Sequence, residues 1–315
     1  MSCVQCGHDV WHLITEGEDF EYAVRAGPFK VVECSECQHV YLHPLPKAEE
    51  IPSLYPSTYY TTNPDSPCNI QGLILKLQTR MGVSRTLRFM KGLSVKSIVD
   101  VGCGNAARLV KLAEIFGKKT ELIGLDFHHD SSTLTAARKA GVSLVEGDVE
   151  SDMSALRDNG HDFIFMNQMI EHFRNPRTAL QAIHEKLSPG GRLLVETPNL
   201  GGFDFYFFRQ RYWGHWHFPR HLHLFTQKSL ARLATQAGFR VLEQGYLPSP
   251  GPWILSLRNL IGLNSIRRSQ GSVKSLAEFI SFRNLPVVTF FTVLDLITIR
   301  LGLPSSTQFL VASKE

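Results

Sequence analysis

The sequence predicts an α/β protein: a doubly wound sheet of seven strands, a small N-terminal cysteine-bearing unit, and a helical insertion before the last strand. Three observations carry this reading. The stretch SIVDVGCGNAARL at 97–109 runs a short apolar strand into a glycine-rich turn that opens a helix. From residue 95 onward apolar strands alternate with helical patterns, as a parallel sheet with crossover helices requires. Four of the six cysteines fall within residues 1–45 as two Cys-x-x-Cys pairs. At 315 residues the chain accommodates one large domain and a satellite, and a formal charge of +4 is too weak to imply nucleic acid by itself.

Taken in order, the N-terminal unit comes first. Cys3-x-x-Cys6 and Cys34-x-x-Cys37 are separated by 27 residues. Each turn aims two thiolates at one ion, and two such turns complete a closed four-thiolate zinc site that would stabilise a segment with little core of its own. Disulfides and redox thiols are the competing readings, disfavoured because MSCVQCGHDVW lacks the regions of a secretory leader and neither pair opens a helix after a strand. A reducing, cytoplasmic setting follows. Cys103 reads as a buried inert thiol, and Cys68 is left over. Residues 44–67, with SLYPSTYY at 53–60, read as a linker. Leu73, Leu77, Met81, Leu87 and Met90 then carry helical apolar spacing. Strands are expected at 97–101, 121–125, 142–145, 162–166, 192–196, 239–246 and 308–312. Helices are expected at 108–116, 132–140, 176–187 and 227–237, stopped by Gly117, Gly141, the SPGG turn and Gly238.

The glycine turn decides between cofactors. Gly102 and Gly104 let backbone N–H groups close on a ligand at a helix N-terminus, and Gly-x-Gly-x-x-Ala at 102–107 also satisfies a dinucleotide fingerprint. Asp100, two residues before the first glycine, would repel a pyrophosphate and attract an ammonium. In an open α/β sheet the ligand lies outside the carboxyl ends of the strands, and polar residues recur there. Asp126 with Phe127 ends LIGLD, where the carboxylate could accept two ribose hydroxyls; Asp148 with Val149 ends LVEGD; Asn167 and Gln168 end FIFMNQ. A single tip acid is ordinary turn chemistry, but three in register with the glycine turn are hard to reach by accident.

VDVGCG, LIGLD, EGDV, MIEHFRNP, LSPGGRLLVETPN and PRHLHLFTQKSL together resemble class I S-adenosylmethionine-dependent methyltransferases, in the branch that modifies sugars, natural products and quinone-type lipids. The resemblance implies a Rossmann-like sheet whose last strand is antiparallel. It also implies S-adenosylmethionine held by Asp100, Gly102, Gly104, Asp126, Phe127, Asp148, Val149, Asn167 and Gln168, with Asp148 on the adenine amino group and Asn167 and Gln168 over the methionine half. The four-cysteine ribbon is similar to that of sugar C-methyltransferases, which carry a further C-terminal domain. Ala106 stands where the family often has a third glycine, and a methyl is expected to be tolerated there. The implied organisation is a zinc ribbon at 1–45, a linker and helical lid at 46–94, a cofactor-binding core at 95–249, a helical insertion at 250–303 and the last core strand at 304–315.

On the acceptor side, His172 follows the fourth strand, where the family overlooks the transferred methyl, and could act as general base. His215, His217, His221 and His223 lie in a second segment, without a nearby carboxylate to complete a metal set; His221 is the one expected at the acceptor. Ten aromatics between Phe203 and Phe225, interleaved with Arg209, Arg211 and Arg220, could line an acceptor pocket with arginine free for an anionic group, stack on RNA bases, or pack on one another as a lid. In the apolar helix at 286–301, Thr289, Thr292, Asp295 and Thr298 form a polar stripe. With Arg258, Arg267, Arg268 and Lys274 nearby, that helix reads as a membrane-surface element or, alternatively, as a pocket cap or dimer surface. No apolar run reaches the ~20 residues of a spanning helix. The expected activity is methyl transfer to an O or C nucleophile on a small-molecule, sugar or lipid-linked acceptor. The rivals are a nicotinamide reductase, a nucleic-acid methyltransferase and a non-catalytic adaptor.

Overall fold

The computed structural model describes residues 2–56, 59, 70–208, 210–262, 276 and 279–315, with the backbone alone for 70–75. Cys68, Arg209, Arg267, Arg268, Lys274 and most of the expected linker from 57 onward lie outside the described residues. The chain opens with three antiparallel strands, β1 (Trp11–Gly17), β2 (Phe29–Cys34) and β3 (Val40–His43). Helix α1 (Ile70–Met90) leads into an alternating series: β4 (Ser97–Val101), α2 (Ala107–Phe116), β5 (Glu121–Asp126), α3 (Ser131–Ala140), β6 (Ser143–Glu146), β7 (His161–Asn167), α4 (Pro176–Lys186) and β8 (Leu187–Pro198). There follow a one-turn helix α5 (Phe205–Phe208), a two-residue strand β9 (His223–Leu224), α6 (Gln227–Gln236), β10 (Phe239–Leu247), α7 (Pro250–Leu260), α8 (Leu285–Arg300) and β11 (Thr307–Lys314).

Seven strands form one sheet in the order β10-β11-β8-β7-β4-β5-β6, and one of them is antiparallel. The pairs β4–β5, β4–β7, β5–β6 and β7–β8 are parallel. Every residue of β4 is buried, as expected of a central strand covered on both faces. It lies between β5 and β7, where the winding reverses, and a crevice at the strand ends is the ligand position in such sheets. Local chemistry sets the helix ends: Asp130 accepts the Ser132 and Thr133 N–H groups ahead of α3, and Asn175 accepts that of Thr178 ahead of α4, with Pro176 at its first turn.

The chain divides into two compact units. One comprises Met1–Pro56, Thr197–Ser229 and Gly245–Gln308; the other comprises Ser57–Glu196, Leu230–Gln244 and Phe309–Glu315. The cysteine-bearing strands therefore do not stand alone. Their sheet gains β9 as a fourth strand, with Val40 opposite Leu224 and Tyr41 opposite His223. Val31, Val40 and Leu42 share a core with Trp213, Trp216 and Leu224. Two local expectations need correction. In α1, Met90 is buried as expected, but Leu77 and Met81 face solvent while Val83 and Phe89, which the apolar spacing did not select, are buried in their place. Strand β8 begins at Leu187, not 192, and an irregularity in its register against β7 absorbs the SPGG stretch.

Candidate active site

Within the second unit, register brings Asp100, Asp126 and Asn167 to the carboxyl ends of three neighbouring strands. Asp100 pairs across with Gly124 and Phe165, Asp126 with Glu146, and Asn167 with Glu196. The turn after β4 is pinned over β5: the Gly102 and Cys103 N–H groups donate to the Leu125 carbonyl at 2.8 and 3.3 Å. Gly102 has φ +74°, and a Cβ there would stand 2.6 Å from the Met169 sulfur, so both backbone and space require glycine. The Gly104 N–H donates to Asp126 Oδ2 at 2.7 Å and the Phe127 N–H to Oδ1 at 2.8 Å, so Asp126 holds the turn it faces. Phe127 itself is exposed. Ala106 adopts φ +54°, a conformation that favours glycine, so the methyl there carries backbone strain beyond what the sequence suggested.

Asp100 is buried, and burial, with help from Asp126 and Glu196, pushes its carboxyl up to about 8 against the pull of Arg108. Such a group welcomes a cationic partner. Asp148 accepts the Glu150 N–H at 2.9 Å and the Ser151 hydroxyl at 2.8 Å, so it also forms the turn after β6, with Val149 buried beside it. Asn167 is exposed, and Gln168 takes φ +53° with its N–H on the Glu196 carbonyl at 2.7 Å. His172 closes a 3-10 turn, Ile170–His172, in which Glu171 is fully buried.

The first unit holds the remaining candidates. The four expected zinc ligands, Cys3, Cys6, Cys34 and Cys37, bring their sulfurs within 4.8 Å of one another. The Cys3–Cys37 and Cys6–Cys34 separations are 3.6 Å, close to the ~3.8 Å edge of a tetrahedron with metal–sulfur bonds of about 2.3 Å. Burial raises the Cys3 thiol while the Gln5 and Cys6 N–H groups oppose it. At Cys34 the Cys37 and Glu36 N–H groups outweigh burial and lower the thiol. Two knuckles of N–H groups on sulfur suit a thiolate-bound cation, so the donor set fits zinc.

The aromatic segment packs on itself. Trp213, Trp216, Phe218 and Phe225 are buried, with Trp213 and Trp216 edge to face at 5.1 Å, and Tyr206 and Phe207 are exposed. Arg220 is not free for an anionic acceptor. It is buried against Asp19, donating from both terminal nitrogens at 3.1 and 2.8 Å, and its guanidinium lies 4.5 Å from the Tyr22 ring centroid. The Asp19 carboxyl is held low by Arg220 despite its burial. The histidines likewise have partners within the unit: His217 Nδ1 meets Glu21 at 2.7 Å, His221 Nδ1 meets the His215 carbonyl at 2.7 Å, and His39 Nε2 meets His223 Nδ1 at 2.9 Å. Burial pushes His215 down to about 3. The carboxylates that the segment itself lacks come from Asp19 and Glu21, in the loop between β1 and β2.

Residues 76–244, just over half of the chain, match the family described as "Methyltransferase domain". The chain belongs to that family. Among curated relatives, a demethylmenaquinone methyltransferase of Geobacillus kaustophilus is 30% identical over 145 residues, covering 43% of this chain and 60% of the relative. A ubiquinone biosynthesis O-methyltransferase of Shewanella halifaxensis is 27% identical over 111 residues, covering 34% of this chain and 46% of the relative. The chain thus spans about half the length of these relatives. Among solved structures, one provisionally assigned as a sarcosine dimethylglycine methyltransferase of Galdieria sulphuraria superposes with a TM-score of 0.50 at 16% identity, covering 76% of this chain and 86% of that one. At that identity the match concerns the fold.

Three residues beside the candidate site escaped the sequence reading: Glu196, Arg85 and Arg108. Glu196, in β8 opposite Asn167 at the end of β7, is fully buried and accepts hydrogen bonds from Arg85 Nε at 2.6 Å and an Arg108 terminal nitrogen at 2.9 Å. The two guanidiniums hold its carboxyl below the usual range although burial works against ionisation. Arg108 also lies 5.2 Å over the Phe165 ring, and its other terminal nitrogen is buried with no hydrogen-bond partner among the described residues. The signal was present: a glutamate ending LLVE, at the end of the strand expected over 192–196, follows the same rule that selected Asp100 and Asp126.

Proposed function

We propose that this chain is an S-adenosylmethionine-dependent methyltransferase acting on an O or C nucleophile of a small-molecule, sugar or lipid-linked acceptor. The observation that carries the reading is Asp100, a buried carboxyl with an elevated pKa at the β4 tip, two residues ahead of the Gly102–Gly104 turn. A pyrophosphate brought there would meet the carboxyls of Asp100 and its neighbour Asp126; an amino-acid ammonium would meet its counter-charge. Bound S-adenosylmethionine supplies an electrophilic methyl on a sulfonium. Asp100 would hold its ammonium, Asp126 its ribose hydroxyls, Asp148 and Val149 its adenine, and Asn167 and Gln168 its amino-acid half, with Phe127 alongside. Arg85 and Arg108 keep Glu196 ionised and so fix the charge beside Asp100. The chain's main task is alignment, since the methyl is already reactive.

His172 and His221 are the candidate bases that would take the acceptor proton, one in each compact unit. The quinone-modifying names of the relatives favour an aromatic, quinone-type acceptor. The cysteine tetrad supports a structural zinc. Titration with S-adenosylhomocysteine and NADH tests the cofactor. Asp126→Ala should weaken S-adenosylhomocysteine binding by ~1.5–3 kcal/mol, and NADH binding tighter than S-adenosylhomocysteine would overturn the reading. With an acceptor in hand, His172→Gln or His221→Gln should leave cofactor affinity unchanged and lower turnover by ~10²–10⁴.

A further inference from the structure

Helix α8 faces the wrong way for a helix bathed in water. The C-terminal half of its polar stripe is turned inward: Asp295 and Thr298 are buried, Thr292 is half-buried and Thr289 is exposed, and Asp295 accepts the Ser249 N–H at 2.7 Å and Trp253 Nε1 at 2.9 Å. Phe291 of the same face stacks on Trp253 at 5.3 Å. Thr289 apart, the outward face is apolar. Phe290 is 62% exposed, Leu301 71%, and Val293, Leu296 and Ile297 about half, along two adjacent rows of one helix side. Phe279 and Phe282, just before the helix, are exposed as well. A surface helix normally shows the opposite arrangement, and an exposed apolar patch of this extent marks a contact surface.

Charge indicates what covers it. Residues 250–303 contain six of the 33 basic side chains and two of the 29 acidic ones, an excess of 6 − 2 = 4 that equals the formal +4 of the whole chain; the remainder carries 27 of each. One of the two acids, Asp295, is buried with its carboxyl pushed up to about 6. Arg283 precedes α8 and Arg300 ends it, both exposed, so the apolar rows lie between two cations. Arg267, Arg268 and Lys274 belong to the same segment of sequence. A second copy of this chain, meeting it in an isologous pair, would bring the same positive segments together. An anionic lipid surface would instead accept the side chains of α8 at its acyl boundary and the arginines among its headgroups. At 16 residues, about 24 Å long, α8 is too short to cross, and no helix among the described residues is long and apolar enough to do so. It would lie in the surface.

We infer that α8 and its flanking arginines form a docking face for an anionic lipid bilayer, with Phe290, Val293, Leu296, Ile297 and Leu301 inserted below the headgroups. This does not depend on methyl transfer, and its test reads no activity. The 315-residue protein is floated with phosphatidylcholine vesicles containing or lacking phosphatidylglycerol, at low and high salt, and its mass in solution is measured by light scattering. Expected is a monomer that floats with the anionic vesicles, releases as salt rises, and binds neutral vesicles weakly. Phe290→Glu/Ile297→Glu, on exposed positions that leave the Asp295 cluster intact, should lower partitioning about tenfold or more. Arg283→Gln and Arg300→Gln should each lower it about fivefold on anionic vesicles only. Ile115→Glu, an exposed apolar residue of the other compact unit, should change nothing. No flotation, or equal flotation of the Phe290→Glu/Ile297→Glu protein, overturns the inference. A dimer dispersed by that same double substitution overturns it too and assigns the face to a second copy.

Discussion

With Asp100 on the ligand's ammonium, as proposed, cofactor binding should release a proton. Its carboxyl, pushed up to about 8 mainly by burial, is ~90% protonated at pH 7. Engaging an ammonium as a carboxylate then costs about one pK unit, ~1.4 kcal/mol or tenfold in affinity, relative to a site already ionised. Affinity for S-adenosylhomocysteine should therefore rise about tenfold between pH 6 and 7 and flatten toward pH 8. It should fall beyond that, as the ligand's own α-amino group (~7.7–8.0) loses its proton. Calorimetry at pH 7 in two buffers of different ionisation enthalpy should count ~0.9 proton released per ligand bound. Asp100→Asn should abolish both the release and the slope below pH 8. In the unliganded protein the sign runs the other way. A carboxyl raised in the folded state contributes stability that is complete below ~4 and is lost as pH rises through about 8. Affinity that is flat from pH 6 to 7.5, with no proton exchanged with buffer, would refute the assignment of Asp100 to the ammonium.

Glu196→Gln should destabilise the protein by ~3–5 kcal/mol, because it leaves two guanidiniums around a buried neutral amide; a loss below ~1 kcal/mol in denaturant titration would show that Asp100 takes over the pairing. Purified protein should carry one zinc per chain on Cys3, Cys6, Cys34 and Cys37, and chelation should open the N-terminal strands to protease; metal analysis finding none, with free thiols and a resistant N-terminus, contradicts the site. Burial raises Asp295 to about 6 and Asp204, which accepts Trp213 Nε1, to about 7. Their stabilising contribution is complete below ~4 and is lost as pH rises through 6 to 7. Thermal melts at pH 5.5 and 8 should therefore show Asp295→Asn gaining on the wild type at the higher pH.

The alternation of strands and helices, the glycine turn, the tip acids and the cysteine pairs were all legible in the chain because each rests on neighbours a few residues apart. Strand period, left-handed helix stops and knuckle spacing are local facts, so the seven expected strands differ from those observed mainly at their ends, whereas β1, β2, β3 and β9, which form a second sheet across distant segments, were not foreseen. What the chain could not declare alone is where polar groups find partners. Arg85 and Arg108 reach Glu196 across 111 and 88 residues, and Asp19 meets Arg220 across 201. Only the fold turned an apparently available arginine into a buried clamp and an unremarked glutamate into the neighbour that tunes Asp100. The same holds for α8. Its sequence showed a polar stripe on an apolar rod, and periodicity is silent on which side faces in. The Ser249 N–H and the Trp253 indole, brought together by α7, satisfy Asp295 inside and so leave the apolar face in water.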